Sequence, residues 1–499
     1  MLVLAGSLFV PLAWAFKMRR EQPEPMNEPL TALGIAIGVA VVGGWLLFRL
    51  GRGQRADLRR KEALLLVATS WFFGAAVAAL PFRIWAFLRP ADANVDPAFG
   101  SWINCYFEAM SGLTTTGSTI LTRIATIPES LLLWRCMTQW LGGLGIVVLF
   151  VAVLPMLGVG GKRLFRVESA GPTPADMTPR IRSTAQVLWA IYLAFTLAET
   201  LLLRWQGLSW FESLCHTFTT LSTGGFSTRD ASVGGFENLG VEIVITTFMV
   251  LSAINFGLYH QVFQGKWRDA VRDPELRAFL FLLGAATVVV IFTLRGTPVV
   301  TTTGRQEAEL GPAVRHGVFQ SVSIQTETGY GTADFDRWPF GAKTMLLVMM
   351  FVGGCAGSTA GGIKVVRCLI VAKVIGLEIE RVFRPNVVRA IRVGRATVDA
   401  DLRLATVVHV VCLFGVFGLG TIGLMVLEPD GSITLTTAAT ATATTLHNCG
   451  PGLDQVGPTR NFVHLGATSK CLLSLIMAMG RLELFPLMVL FTPRFWRAE

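Results

Sequence analysis

The chain has 499 residues, of which 52% are hydrophobic and only 15% are charged, and its formal net charge is +10. A soluble domain carries roughly a quarter charged residues, so this composition excludes an ordinary water-soluble protein and favours one surrounded by lipid. The positive charge lies in short runs between apolar segments, as in cytoplasmic loops, which argues against a nucleic-acid-binding surface.

Apolar stretches of roughly helical length recur along the whole chain. Residues 1–16 are apolar and are followed by Lys17, Arg19 and Arg20, a pattern that predicts a short membrane helix and not a signal peptide. Further spans are expected near residues 30–50, 63–87, 131–157, 187–203, 241–263, 279–294, 344–375, 406–427 and 469–491.

Basic residues between the spans predict the orientation of the chain. Loops rich in Lys and Arg remain in the cytoplasm. We therefore expect cytoplasmic loops near residues 52–61, 162–182, 266–277 and 381–395, together with Arg494 and Arg497. The number of spans places the basic run at residues 17–20 on the outside, against this rule. Either the first span is misread or this short terminus escapes the rule.

Four segments between paired spans are too polar to cross lipid and too apolar for ordinary loops. They read FEAMSGLTTTG at 107–117, LCHTFTTLSTG at 214–224, FQSVSIQTETG at 319–329 and TATATTLHNCG at 440–450. Their last glycines are separated by 107, 105 and 121 positions (224−117, 329−224 and 450−329). A shared pattern with this period indicates an internal repeat.

Such a segment fits a half-helix that stops inside the membrane and continues as an extended strand lining a pore. Four strands around an axis form rings of carbonyl oxygens that replace the hydration shell of a cation, and glycine supplies the unusual dihedral angles. One such segment alone fits ordinary helix packing better, whereas four in register, each between two spans, favour the pore. The predicted filter residues, whose backbone would bind the ion, are Thr115, Thr116, Gly117, Ser222, Thr223, Gly224, Glu327, Thr328, Gly329, Asn448, Cys449 and Gly450.

A cluster of glycines interrupts the long apolar stretch at 344–375. It forms either a helix-packing face or a flexible loop beneath the filter that blocks the pore. The density of glycine disfavours a helix, so we favour the loop. The predicted gate residues are Gly353, Gly354, Gly357, Ser358, Thr359, Gly361, Gly362 and Arg481.

Several charged residues fall inside the predicted membrane region, where charge is expensive and usually functional. We expect Arg481 to hold the loop or to form a positive barrier, and the alternatives are pairing with Glu483 or snorkelling. For Lys470 we expect snorkelling. Glu108, Glu212 and Glu327 either concentrate cations or brace the half-helices, and both interpretations are open.

Motifs for catalysis and for cofactors do not occur in the sequence. The eight cysteines form no C-x-x-C pair and are expected to be buried hydrophobic residues, and the six histidines lack metal-ligand spacing. No Rossmann fingerprint or P-loop lysine motif is present. We therefore expect no enzyme activity and no cofactor on this chain.

The chain resembles the Trk/Ktr/HKT superfamily of potassium transporters, and within it most resembles the bacterial TrkH family. Two apolar segments before the first repeat favour this family over the similar KtrB proteins, which lack them. The matching motifs are GLTTTGSTIL (112–121), TLSTGGFSTRDAS (220–232), TETGYGTADF (326–335), GGCAGSTAGGIK (353–364), HNCGPGLDQVG (447–457) and MGRLELFP (479–486).

The resemblance implies an all-α polytopic membrane protein with four pseudo-symmetric M1–P-loop–M2 repeats around one pore, plus an N-terminal helix pair. We expect the helix pair at 1–52 and the repeats at 53–165, 166–270, 271–395, which includes the gate loop, and 396–499. It also implies the bacterial inner membrane, potassium as substrate and a homodimer. A cytoplasmic TrkA-like regulatory subunit would bind NAD(H) or adenine nucleotides.

The function implied is a gated, channel-like subunit for potassium uptake. The alternative is potassium transport coupled to protons or sodium, in which intramembrane carboxylates would serve the coupling. A polytopic membrane enzyme is a third possibility, for which the sequence contains no catalytic constellation.

Overall fold

The fold was obtained as a computed structural model that describes residues 1–21, 27–52, 60–89, 96–148, 177–307, 309–394 and 396–497. Over these residues the chain is mainly helical. Six helices are long and apolar enough to cross a membrane, or seven if one bent pair counts as a single span. The short strands form two antiparallel pairs, β1 (Val299–Val300) with β2 (Gln306–Glu307) and β3 (Arg392–Val393) with β4 (Ala396–Thr397).

The N-terminal region contains α1 (Leu2–Ser7), α2 (Phe9–Glu21) and α3 (Asn27–Gly51). Only Leu8 separates α1 from α2, and Leu2–Arg20 forms a candidate span of 19 residues. The N-terminal apolar segment is therefore longer than residues 1–16 suggested, because the helix continues through the basic run.

The next unit contains α4 (Arg60–Leu88), α5 (Trp102–Leu113) and α6 (Glu129–Val148). The indole nitrogen of Trp14 in α2 donates a hydrogen bond of 2.9 Å to Glu129, which fixes the N-terminal helices against α6. The predicted span at 131–157 is helical to residue 148, and its remainder lies outside the described residues.

The second unit contains α7 (Met177–Trp205), α8 (Trp210–Leu221), α9 (Leu239–Ala253) and α10 (Phe256–Phe263). The predicted span at 241–263 is not one straight helix, because α9 and α10 meet at an angle of 93°. Asn255 starts the new helix by accepting a hydrogen bond from the Gly257 amide, as an N-cap residue does.

The third unit begins with the short α11 (Trp267–Val271) and contains α12 (Pro274–Leu294), α13 (Leu310–Gln325), α14 (Phe340–Phe351) and α15 (Val365–Phe383). The predicted interruption of the 344–375 stretch is confirmed, since no helix is assigned between α14 and α15. We call residues 352–364 the glycine-rich loop.

The fourth unit contains α16 (Ala400–Leu427), α17 (Leu435–His447) and α18 (Ala467–Arg481), followed by α19 (Phe485–Met488) and α20 (Pro493–Trp496).

The predicted span at 469–491 is also wrong as a single helix. Glu483 (φ 59°) and Leu484 (φ 62°) both have positive φ between α18 and α19, and a right-handed α-helix does not continue through such residues.

Among the described residues, a long helix, a short helix and another long or broken helix thus follow one another four times. The short helices α5, α8, α13 and α17, which we call the inner helices, are largely buried. Polar caps define two of their starts. Ser209 and Glu212 form a capping box at α8, and Thr434 accepts a hydrogen bond from the Thr437 amide at α17.

The predicted division into repeats remains a prediction. Residues 53, 165, 166 and 395, which adjoin three of the expected boundaries, lie outside the described residues. The boundary at 270/271 falls inside α11. Most of the basic residues predicted at 162–182 also lie outside the described part of the chain.

Candidate functional site

All four inner helices end in the same backbone conformation. One residue after or near each helix end is left-handed, and two residues later comes a glycine with positive φ. In every case the amide that follows the left-handed residue donates to a carbonyl five residues earlier, as in a Schellman cap. The left-handed residues and their φ angles are Thr115 (54°), Thr223 (53°), Glu327 (60°) and Asn448 (60°).

The repeated conformation changes the way in which the four segments correspond. The sequence comparison matched their last glycines, Gly117, Gly224, Gly329 and Gly450. Gly117, Gly329 and Gly450 have φ angles of 83°, 77° and 99°, and their counterpart is Gly225 (72°), not Gly224. The second segment is therefore displaced by one residue from the alignment on Gly224. In structural register it reads Thr223–Gly224–Gly225, and Ser222 caps the end of α8.

These glycines pack in cyclic order against the backbone of the neighbouring segment. A methyl group added to any of them would overlap or press against a carbonyl oxygen there, so the four segments form a closed ring. The distances from such a methyl to the oxygen are 2.3 Å (Gly117 to Gly224), 1.8 Å (Gly225 to Thr328), 1.9 Å (Gly329 to Cys449) and 2.9 Å (Gly450 to Thr116).

The ring borders a chamber of about 130 Å³. Its lining includes the same four glycines together with polar residues of the loops that follow them. Arg229, Asp230 and Arg460 also line it. The chamber therefore lies between the ring and the loops that follow the four segments.

Gln139 of α6 holds the second segment from behind. Its side-chain amide donates to the Gly224 carbonyl at 2.7 Å, and its carbonyl oxygen accepts from the Phe226 amide at 3.1 Å. Gln139 is fully buried. We did not single it out in the sequence, although a glutamine within a predicted membrane span is a usable signal.

Glu108 and Arg135 form a second brace, buried between α5 and α6. Arg135 donates to Glu108 at 2.7 Å and to the Ser227 carbonyl at 3.0 Å. The other Glu108 oxygen accepts from the Ile120 amide at 2.9 Å. For Glu108 these contacts favour bracing over the concentration of cations.

Glu212 also acts as a brace, because it belongs to the capping box of α8 and pairs with Arg229 at 2.7 Å.

Glu327 differs from both Glu108 and Glu212. Its carboxylate is fully buried, accepts no hydrogen bond from an N–H or O–H group among the described residues, and lies beside the Cys449 thiol. A methyl on Gly362 would lie 2.5 Å from it, so it faces the glycine-rich loop.

Tyr330, directly after the third glycine, connects two units. Its hydroxyl donates to the His216 carbonyl at 3.1 Å and contacts the hydroxyls of Thr219 and Thr220 in α8. A buried phenol with these partners fixes the distance between the third segment and the second inner helix.

The glycine-rich loop crosses beneath the ends of two inner helices. The Thr359 hydroxyl donates to the carbonyl of Leu221, the last residue of α8, at 2.9 Å. The Gly362 amide donates to the carbonyl of His447, the last residue of α17, at 3.1 Å. A methyl on Gly361 would lie 2.1 Å from that His447 oxygen, so the approach requires glycine.

Glu275 in α12 fixes both sides of this loop. One of its carboxylate oxygens accepts from the Ala356 amide at 2.8 Å and from the Val366 amide at 3.0 Å. The Cys355 amide also donates to the Ala253 carbonyl at 2.9 Å, which connects the loop with the bend between α9 and α10.

Arg481 reaches the middle of the loop from the end of α18. Its guanidinium donates to the Thr359 carbonyl at 2.9 Å and to the Gly142 carbonyl at 3.3 Å. It is buried and does not snorkel. Glu483 pairs with Arg367, so the alternative of an Arg481–Glu483 pair is not observed.

The expectation that Lys470 snorkels is wrong. Lys470 is buried, and its ammonium group donates to Asn104 and to the Val463 carbonyl, both at 2.9 Å. These acceptors lie inside the protein, so the Lys470 ammonium group is hydrogen-bonded there and does not extend to the surface.

The cysteines are unbridged, and most are buried. Within the described ranges, no group of three His, Cys, Asp or Glu side chains is arranged to hold a metal ion. The ring of glycines and the glycine-rich loop that contacts the inner helices form the candidate site.

Residues 91–498 match the family model TrkH, described as a cation transport protein. The chain belongs to the TrkH family. It is 36% identical over 474 residues to the Trk system potassium uptake protein TrkH of Halomonas elongata, covering 93% of this chain and 92% of that protein. It is 37% identical over 461 residues to TrkH of Escherichia coli K12, covering 92% and 91%.

Its fold is similar to the crystal structure of the potassium transporter TrkH from Vibrio parahaemolyticus. The TM-score is 0.85 at 31% sequence identity, and the match covers 99% of this chain and 98% of that one. TrkH proteins are transporters and not enzymes. Membership of the family and the apolar spans make this chain a multi-pass inner membrane protein.

Proposed function

We propose that this chain is the subunit of a Trk-type uptake system that translocates potassium, through a gated, channel-like pore. The cyclic packing of four glycines against neighbouring carbonyls carries this proposal, because a closed ring of backbone at membrane depth is the arrangement that can replace the hydration shell of a cation. The names of the relatives, which are potassium uptake proteins, support the choice of ion.

In the proposed filter, each of four strands contributes backbone carbonyls. The strands are Thr115–Thr116–Gly117, Thr223–Gly224–Gly225, Glu327–Thr328–Gly329 and Asn448–Cys449–Gly450. The four inner helices end at these strands, so the negative ends of their dipoles lie beneath the filter and favour a cation there. The strands differ in sequence, and the symmetry of the filter is therefore only approximate.

The glycine-rich loop is proposed as the gate. Its contacts with the ends of α8 and α17 support this role, and Arg481 would add a positive charge that opposes cations. We also propose a homodimer and a cytoplasmic TrkA-like partner that binds nucleotides and moves the loop. These two proposals rest on the family resemblance.

The test is flux into vesicles that contain the purified full-length chain, with potassium or sodium as the cation. Wild-type protein should pass potassium in preference to sodium, and Gly117→Ser or Gly450→Ser should admit sodium or abolish flux. Variants that keep the wild-type preference would contradict the filter. Activity that survives substitution of all four glycines would contradict the pore.

Transport coupled to protons or sodium remains the alternative, and one observation favours it. Glu199 in α7 is fully buried, and its carboxyl group lies beside Thr220 of α8, in a part of the protein where a carboxyl group is usually functional. Reversal potentials decide between the two. If they follow potassium alone under imposed proton and sodium gradients, coupling is excluded.

A further inference from the structure

The turn after α18 holds the glycine-rich loop at two places. Arg481 binds the Thr359 carbonyl in the middle of the loop. Two residues later, Glu483 forms an ion pair with Arg367 in the first turn of α15, directly after the loop. One short turn therefore binds both the loop and the helix into which the loop continues.

The ion pair is shielded from solvent. The side chains of Arg367 and Glu483 are only 12% and 18% exposed. A pair in such surroundings is screened less than a surface pair, and removal of one partner leaves the other charge without compensation.

Other charged groups surround the pair. His409 of α16 lies with its Nε2 3.3 Å from Arg367, and Glu483 also interacts electrostatically with His409 and Lys364. Lys364, the last residue of the loop, donates to the carbonyls of Ala360 and Gly361. Glu483 therefore balances basic groups at the C-terminal end of the loop.

The backbone of the turn also depends on its surroundings. Glu483 and Leu484 have positive φ although neither is glycine. Such residues persist only where neighbouring contacts hold them. The pair with Arg367 and the burial of Leu484 supply these contacts.

We infer that the Glu483–Arg367 pair is a latch that keeps the glycine-rich loop in its closed position. The inference rests on the proposed function of that loop as a gate. Both residues act as positioning residues, since neither contacts the ring of glycines directly. Breaking the pair releases α15 from the turn and removes one of the attachments of the C-terminal end of the loop.

The test is rubidium influx into vesicles that contain the full-length chain without other proteins. Glu483→Gln and Arg367→Gln should each raise resting influx by roughly tenfold, as expected when one partner of a shielded pair is lost. The exchanged variant Arg367→Glu with Glu483→Arg should return influx toward the wild-type value, because it restores the pair.

The matched control is Glu378→Gln. Glu378 pairs with Arg381 on the same helix α15, but those side chains are 57% and 44% exposed. This variant should leave influx unchanged. Size-exclusion profiles and melting temperatures identify variants that fail to fold. If Glu483→Gln is among them, the influx of Arg367→Gln is compared with that of wild type instead.

The outcomes separate the latch from the gate. If Arg481→Ala leaks but both Gln variants are as tight as wild type, the latch is wrong and the gate stands. If the exchanged variant leaks as much as the single variants, a specific pair is also refuted. If deletion of residues 357–361 and Arg481→Ala both leave influx at the wild-type level, the gate proposal fails, and the latch fails with it.

Discussion

The Arg481 guanidinium donates a hydrogen bond of 2.9 Å to the Thr359 carbonyl, from the end of one broken helix to the middle of the loop that interrupts another. The two residues are 122 positions apart in the sequence. The buried charge of Arg481 is thus held in part by a backbone carbonyl of the glycine-rich loop, the segment proposed as the gate.

Replacement of Arg481 by alanine should raise resting potassium flux in reconstituted vesicles. It removes two hydrogen bonds from a charged donor, each worth roughly 1.5–3 kcal/mol, and it removes the positive barrier. Arg494→Ala, at an exposed position, is the control and should not alter flux. A purified Arg481→Ala protein no leakier than wild type would count against a role in gating.

The backbone register of the second segment predicts that Gly225 is more sensitive than Gly224. An alanine at 225 must adopt a left-handed conformation, at about 1–2 kcal/mol, and would lie 1.8 Å from the Thr328 oxygen. An alanine at 224 meets only the Gln139 side chain, at 2.4 Å. We expect Gly225→Ala to lose potassium selectivity or flux, and Gly224→Ala to retain more of both.

The comparison is made as the ratio of potassium to sodium flux at equal amounts of folded protein. If Gly224→Ala is the more damaging variant, the register based on Gly225 is wrong.

Gln139→Leu should weaken selectivity for potassium without closing the pore. The substitution leaves the Gly224 carbonyl and the Phe226 amide without their partner, and each unsatisfied buried group costs roughly 1–3 kcal/mol. The ring then relaxes at the second segment. Selectivity ratios are the measurement, and Gln264→Leu on an exposed turn is the control. Wild-type selectivity in Gln139→Leu would show that the brace is dispensable.

Asp96 should stabilise the first unit from outside the membrane-spanning helices. Its carboxylate accepts hydrogen bonds from the amides of Thr122 at 2.5 Å, Arg123 at 2.7 Å and Ala98 at 2.9 Å. Burial opposes the charged form, but these hydrogen bonds outweigh it and hold the pKa below its usual 3.8. Asp96→Ala should destabilise the protein by roughly 3 kcal/mol.

The sign of the pH effect follows from the lowered pKa. The stabilisation is fully present above the usual pKa and is lost as the pH falls through the lowered value. Thermal unfolding in detergent should therefore show a smaller difference between wild type and Asp96→Asn in strong acid than at neutral pH. An equal difference at both would refute the role of the charge.

Much of the architecture could be predicted because it depends on local rules. Apolar length revealed the spans at 30–50, 63–87 and 406–427, each of which lies within a helix. The glycines at 353–362 revealed the interruption between α14 and α15, because glycine disfavours a helix wherever the segment is placed. The four semi-polar segments were found because their intermediate polarity is likewise a local property of the sequence.

Other features could not be predicted, because they depend on contacts between distant residues. The bend after α9 lies in mostly apolar sequence that is compatible with a continuous helix. Lys470 seemed free to reach the surface until its acceptors, Asn104 and the Val463 carbonyl, were found inside the protein.

By itself, then, the sequence determined that this protein crosses the membrane many times and that four short segments interrupt the pattern, since hydrophobicity and glycine content act locally. Only the tertiary structure decided the register of the second segment. Gly224 and Gly225 are adjacent and chemically identical, and what distinguishes them is the positive φ of Gly225 and its approach to the Thr328 oxygen. The tertiary structure also decided that Glu108 and Glu212 act as braces and that Glu327 faces the glycine-rich loop, because packing determines which charged groups meet.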